Sequence, residues 1–151
     1  MKSAEHLRGR EIHKPCPFCE IVAEKTAAGI IYKSRRAIVF AAREDGYPLI
    51  ATRKHFTSLL DLKLDDATAR ELGSLQKRMA QLVCRVDKVD SVTIAINNGS
   101  AAGQDVGHLH IHVMPRTEGD NMVFLARGER FSIGKLMSRA SKYREGLNDI
   151  A

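Results

Sequence analysis

Between His108 and Val113 polar and apolar residues alternate strictly, as His108-Leu109-His110-Ile111-His112-Val113. This is the period-two pattern of a β-strand with one face turned to a core. Leu109, Ile111 and Val113 belong to the inner face, and the three imidazoles form a polar surface on the other. The same reading predicts strands over 30–32, 37–41, 49–52 and 91–97, with the turn-forming run Arg43-Glu44-Asp45-Gly46 between the second and third. The strand at 91–97 and the histidine strand at 108–114 are expected to be antiparallel neighbours, linked by a Gly- and Asn-rich loop over 98–107.

The period changes to that of a helix between about Asp65 and Val86. There Leu72, Leu75, Met79, Leu82 and Val86 recur at spacings of three and four, and Asp65 or Asp66 is placed to cap the first turn. Cys84 falls off this stripe and reads as a passive small residue. Shorter helices are expected over 16–28, with Phe18, Ile21 and Val22 inward and Gly29 as the stop, and over 132–144. A turn at Glu118-Gly119-Asp120 precedes a short segment over 122–125. Residues 1–15 are polar without apolar periodicity and read as a flexible arm, which leaves 16–151 as one domain. An antiparallel sheet of about five strands with one long helix packed across it is an α+β arrangement.

Length and charge narrow the picture. A chain of 151 residues can bury an ordinary core without disulfides. No apolar run approaches the ~20 residues of a membrane span, and the N-terminus lacks a signal-peptide core, so the expected setting is cytoplasmic with no membrane partner. The net charge of +6 favours anionic ligands, nucleotides or nucleic acid, without separating the two. Basic residues gather at Arg127, Arg130, Lys135, Arg139, Lys142 and Arg144, but Glu129 and Glu145 interrupt them, and a solvated helix face is the simpler reading.

Six histidines in the whole chain make a row of three improbable by accident. At ~3.3 Å per residue, neighbouring histidines on one strand face stand ~6–7 Å apart and the outer pair ~13 Å apart. A zinc ion needs each imidazole nitrogen within ~2.1 Å, so three collinear histidines do not readily serve one ion, and the row must divide its labour. Cys16 and Cys19 form a C-x-x-C pair suited to metal or redox work. His6 and His13, alone on the arm, are stray metal ligands at most.

The stretch Asn97-Asn98-Gly99-Ser100-Ala101-Ala102-Gly103-Gln104-Asp105-Val106-Gly107-His108-Leu109-His110-Ile111-His112-Val113-Met114 resembles the signature of the histidine triad (HIT) family. The likeness extends upstream through Gly46-Tyr47-Pro48-Leu49-Ile50-Ala51-Thr52-Arg53-Lys54-His55 and Cys16-Pro17-Phe18-Cys19, so it spans most of 16–116. The resemblance implies a HIT-like fold and a nucleotidyl hydrolase or transferase. Such an enzyme would release a nucleoside monophosphate, most readily AMP, from a dinucleoside polyphosphate, a phosphoramidate or a related adduct through a covalent nucleotidyl-histidine. It makes His110 the nucleophile and His112 the group that binds the phosphate or bridging oxygen, with strand carbonyls orienting His110. A neutral imidazole suits the task, since its free pKa of ~6.5 leaves a lone pair available at neutral pH. Asn97, Gly103 and Gln104 match positions around the phosphate, where backbone amides of a Gly-rich turn would form an anion nest. The resemblance also implies a homodimer, and a nucleic-acid 5′-adenylate stays open as a substrate given the basic tail.

Two departures stand out. Asp105 occupies a position that usually carries Ser or Thr, and its carboxylate would repel a phosphate unless protonated, turned away or used as an acid toward the leaving group. After Phe40 an acidic residue that binds ribose hydroxyls is often found, whereas here Ala41 and Ala42 follow, with Glu44 or Asp45 as substitutes.

The resemblance further implies a zinc-bearing branch in which His55 and His108 complete a Cys₂His₂ site with Cys16 and Cys19. Four ligands close the shell, so the metal would be structural. Two other readings compete. Cys16-Pro17-Phe18-Cys19 also looks like a glutaredoxin-type active site ahead of a helix, although the preceding residues 8–14 are mostly charged rather than a buried strand. Alternatively, the chain is a nucleotide-binding or scaffold protein in which Asp105 weakens the phosphate site.

Overall fold

The computed structural model describes residues 15–122 and 129–149. Its elements run α1 (Pro17–Val22), β1 (Ile30–Lys33), β2 (Ala37–Ala41), β3 (Pro48–Thr52), α2 (Asp66–Asp87), β4 (Ser91–Ala95), β5 (His110–Arg116) and α3 (Ile133–Leu147). The five strands form one antiparallel sheet in the order β1-β2-β3-β5-β4. Strand β5 therefore lies between β3 and β4, with His110 opposite Ala51 and His112 opposite Leu49 on one side and Ala95 on the other. The β2–β3 hairpin closes as its residues require: Asp45 and Gly46 both adopt positive φ, of 58° and 68°, which Gly and Asp tolerate best. The expected arm falls almost wholly on residues 1–14, and most of the expected segment at 122–125 on 123–125; both lie outside the described residues.

Helix α2 forms where the 3.6-residue stripe predicts it. Asp65 caps it, its carboxylate accepting the Thr68 N–H at 2.8 Å, and Lys88 ends it in the left-handed conformation. Leu72, Leu75, Met79, Leu82 and Val83 pack on Leu109, Ile111 and Val113 of the histidine strand. The stripe thus continues into Val83 rather than Val86, which is only partly buried. Helix α3 closes the same layer. Its Tyr143 is fully buried and donates to Asp87 at the end of α2, which also takes the Arg139 guanidinium at 2.7 Å.

Several boundaries differ from the sequence expectation. Helix α1 stops at Val22, because Ala23 is its C-cap and Glu24 turns left-handed with φ 59°. Gly29 is not a helix stop: a Cβ there would clash with the Leu136 carbonyl oxygen, so a glycine is what lets the α3 backbone approach the chain just before β1. Strand β4 ends at Ala95, two residues early, and β5 runs from His110 to Arg116 because Ser91 pairs with Arg116. The basic cluster is not simply a solvated face. Arg139 is held by Asp87, Lys135 by Glu129, and Arg144 by the Ile30 carbonyl.

The other face of the sheet is also covered. Phe18 of α1 packs with Ile38, Phe40, Ala42, Leu49 and Ala51 into a second apolar cluster, so β2 and β3 are buried along their whole length. The histidine face is consequently part of an interior. His108 is fully buried and His110 is 6 % exposed, a correction to the open polar surface that alternation alone suggests. Among the described residues, no helix is long and apolar enough to cross a membrane.

Candidate active site and metal centre

His108 lies just before β5, and both of its ring nitrogens have assigned work. Nε2 donates to the Thr52 carbonyl at 2.7 Å, which leaves Nδ1 with a lone pair facing Cys16 Sγ at 3.4 Å and Cys19 Sγ at 3.6 Å. His55, on the segment after β3, brings its Nδ1 to 3.3 Å from Cys19 Sγ. The four ligand atoms all lie within 4.8 Å of one another. Tetrahedral zinc with Zn–S of ~2.3 Å and Zn–N of ~2.05 Å places neighbouring S and N about 3.6 Å apart, which matches these edges and the soft S₂N₂ donor set. The Thr52 carbonyl then acts as the outer partner that fixes the ligating tautomer.

Burial, with Cys16 close by, pushes the Cys19 thiol up to about 11. Thiols in this setting ionise when a cation takes the thiolate.

Two residues further along, His110 is held the other way round. Its Nδ1 donates to the His108 carbonyl at 2.7 Å, so the lone pair sits on Nε2. Burial lowers its pKa, against the opposing effects of that hydrogen bond and of the Asp105 charge, and the ring is neutral at pH 7. The Phe18 ring meets it edge-on, centroids 5.0 Å apart. His112 meets His110 edge-on with centroids 5.0 Å apart, and its Nδ1 lies 3.0 Å from the Tyr47 hydroxyl. Burial, reinforced by His110, pushes its pKa down to about 4.

His110 and His112 open onto a cleft of about 1010 Å³ that also reaches Asn97, Gly103, Asp105 and Tyr47. Phe18, Ile21, Phe40, Leu49 and Val106 make its walls apolar, and Arg43, Glu44, Asp45, Arg130 and Phe131 also line it. A concave, mostly apolar site with a few convergent polar groups is suited to a small organic ligand. Asn97 is buried and donates to the Gly103 carbonyl at 3.2 Å, so it shapes the loop as well as lining the cleft. Gln104 is not on the cleft wall. Its amide donates to the Thr57 and Val106 carbonyls and its oxygen accepts the Gly99 N–H, which ties the loop to the segment after β3.

The expected anion nest is altered in the same way. The amides of Gly99, Ala102, Gly103 and Gln104 are already consumed inside the loop. Among the described residues, the loop amides of Asn98, Ser100, Ala101, Asp105, Val106 and Gly107 are left without an intramolecular acceptor, and of these residues Asp105 and Val106 line the cleft. Asp105 is exposed and lines the cleft, close enough for its charge to favour the protonated forms of both His110 and His112. Ala41 and Ala42 are buried, and Glu44 and Asp45 line the cleft, the latter accepting the Glu129 N–H.

Sequence reasoning missed Tyr47, Thr52 and Phe18 as parts of the site. All three lie within motifs that carry the family resemblance, yet their roles depend on strand register and on where α1 packs.

A five-stranded antiparallel sheet in which one interior strand, β5, and His108 just before it line both a closed S₂N₂ cluster and an open cleft with two neutral imidazoles defines an α+β protein with a histidine-lined cleft. The HIT domain pattern matches residues 24–119, and the chain belongs to this family. It is 32% identical over 113 residues to an uncharacterized HIT-like protein of Methanocaldococcus jannaschii, covering 72% of this chain and 84% of the relative. Its fold is similar to that of a Zn-bound histidine triad family protein from Mycobacterium smegmatis, with a TM-score of 0.76, 26% identity and coverage of 89% of this chain and 94% of the other. It is also 26% identical over 112 residues to the adenylylsulfatase HINT3 of Arabidopsis thaliana, covering 72% of this chain and 56% of that protein.

Proposed function

We propose that this protein hydrolyses or transfers a nucleoside monophosphate group, adenylate in the first instance, from a dinucleoside polyphosphate, a phosphoramidate or a related adduct. The observation that carries the reading is the Nδ1 hydrogen bond of His110 to the His108 carbonyl, which presents a neutral Nε2 lone pair to the cleft. In the first step His110 Nε2 attacks phosphorus. The P–N bond forms while the bond from phosphorus to the leaving group breaks, and the leaving group departs with that electron pair and takes up a proton. Water or another hydroxyl acceptor then attacks phosphorus and gives up a proton to solvent, the P–N bond breaks, and His110 regains its lone pair.

His112 binds a phosphate or bridging oxygen beside it, and Asn97 and Gly103 shape the phosphate side of the cleft. The amides of Asp105 and Val106, on the cleft, are donors available to an oxyanion there, with the Asp105 carboxylate as a charge that opposes it. Glu44 and Asp45 stand where a ribose can be met. The HIT family membership and the adenylylsulfatase named among the relatives support adenylate chemistry.

Cys16, Cys19, His55 and His108 would hold zinc in a closed shell, which supplies rigidity rather than an open coordination position. The ligating thiols suit a cytoplasmic setting. Pairing of two copies into a homodimer belongs to this reading and is compatible with β4 standing at an edge of the sheet with Ile94 39% exposed.

Intact mass after rapid mixing with a panel of nucleotidyl donors tests the proposal. The protein is expected to gain one acid-labile nucleotidyl group, and His110→Asn to gain none and to lose turnover by several orders of magnitude. Reversible binding with no adduct and no monophosphate release would overturn the enzyme reading in favour of a binding protein.

A further inference from the structure

The three histidines of the row are each fixed at one ring nitrogen by a different partner. For His108 and His110 the partner is a backbone carbonyl, which accepts and therefore places a hydrogen on the nitrogen it touches. The Thr52 hydroxyl also lies 3.2 Å from His108 Nε2, beside the Thr52 carbonyl, whereas at His112 a side-chain hydroxyl, that of Tyr47 3.0 Å from Nδ1, stands without a carbonyl partner among the described residues. A phenol can donate or accept, so the direction of this bond decides which nitrogen of His112 carries the hydrogen.

Two observations set the direction. Among the described residues, His112 Nδ1 is the one hydrogen-bond partner of the Tyr47 oxygen, so an accepting phenol would leave its own hydrogen without an intramolecular acceptor in a half-buried site. Burial, with Glu44 and Asp45 nearby, also raises the phenol to about 12, so it keeps that hydrogen throughout the neutral range. The ring is held by contact as well, Tyr47 and His112 having centroids 5.9 Å apart.

We propose that Tyr47 is a positioning residue whose hydroxyl donates to His112 Nδ1 and so holds His112 with its hydrogen on Nε2. The two cleft histidines are then opposite tautomers side by side: His110 presents a lone pair at Nε2, and His112 presents an N–H. One can attack phosphorus while the other donates to a phosphate or leaving-group oxygen. Were both presented as lone pairs, the second would repel the oxygens that the first must approach. The catalytic value of this arrangement rests on the nucleotidyl-transfer reading above, but the tautomer itself does not.

Nitrogen-15 NMR of the imidazoles in the full-length, ligand-free protein separates the two levels. Wild-type His112 is expected to show its hydrogen on Nε2 and a bare Nδ1, with His110 showing the reverse. Tyr47→Phe keeps the aromatic ring. It is expected to mix the His112 tautomers while the His110 signals stay in place, and to lower kcat about 10-fold with KM nearly unchanged, less than the ~10²- to 10³-fold loss from removing the donor outright in His112→Ala. A wild-type His112 with hydrogen on Nδ1 overturns the proposal without reference to turnover. So does a Tyr47→Phe protein whose His112 tautomer and kcat both match wild type. If no donor is turned over by wild type, the functional reading fails while the NMR result still decides the role of Tyr47.

Discussion

The two ends of the histidine row are made of the same residue type on one stretch of chain, yet one is closed and the other open. At the His108 end, four ligand atoms converge within 4.8 Å, and the remaining nitrogen of His108 is spent on Thr52. At the His112 end, two neutral imidazoles face a cleft of about 1010 Å³ with one nitrogen each left for a ligand. The difference lies in the neighbours. A carbonyl on Nε2 leaves one imidazole with its lone pair at Nδ1, facing the two thiols, and a carbonyl on Nδ1 leaves the next with its lone pair at Nε2. The ends are joined mechanically: the His108 carbonyl that orients His110 belongs to a metal-corner residue, and Phe18, between Cys16 and Cys19, packs on the His110 ring.

The sharpest way to break this pairing is to take away the corner. The purified protein is expected to carry about one zinc per chain by elemental analysis, and Cys19→Ser to lose it. Metal at a thousandfold excess over its Kd adds about 4 kcal/mol to the folded state. At roughly 2–4 °C per kcal/mol for a chain of this size, the variant should melt on the order of 8–16 °C lower. The nucleotidyl adduct should still form at low temperature, because the corner supports the cleft without entering the chemistry. Full metal content in a Cys16→Ser, Cys19→Ser double variant would show that these residues are not the ligands.

A smaller effect comes from the neutrality of the open end. The folded pKa of His112 is about 4, below its ordinary 6.5, so between these values the unfolded chain binds more protons than the folded one. The stability tied to this group is present above pH 6.5 and is lost as pH falls toward 4. Urea unfolding followed from pH 7 to pH 4 should show a declining midpoint, and His112→Asn should make the decline shallower. An identical pH slope in the variant would mean that His112 does not stay neutral in the folded cleft.

The smallest effect is expected from Asp105, a solvent-exposed carboxylate on the cleft wall. Replacing it in Asp105→Ser removes a like charge from the path of an anionic substrate. KM should fall by about 2- to 5-fold at low salt, the scale of one exposed charge interaction, and the gain should shrink as salt is added. A KM unchanged at every ionic strength would place the carboxylate's influence elsewhere than on the phosphate.

Much of this protein is legible along the chain because its strongest signals are local. The stripe from Leu72 to Leu82 specifies α2, Asp65 caps it, and strict alternation sets Leu109, Ile111 and Val113 against that helix. The motif residues Cys16, Cys19, His55 and His108 stand out as candidate ligands before any fold is known. Periodicity, however, shows which residues share a face and not what covers that face. The burial of His108 and His110 under α1, the use of Gly29 as the approach point for α3, and the diversion of Gln104 and the loop amides into holding the loop are tertiary facts. So is the choice of tautomer along the row: Thr52 and Tyr47 lie some sixty residues before the histidines they touch, and the register of β3 against β5 brings them there. Which side chains are available for chemistry can be read along the chain, because residue type and spacing are local properties. Which nitrogen of each histidine is free to perform it depends on the fold, because hydrogen-bond partners are set by which strands pair.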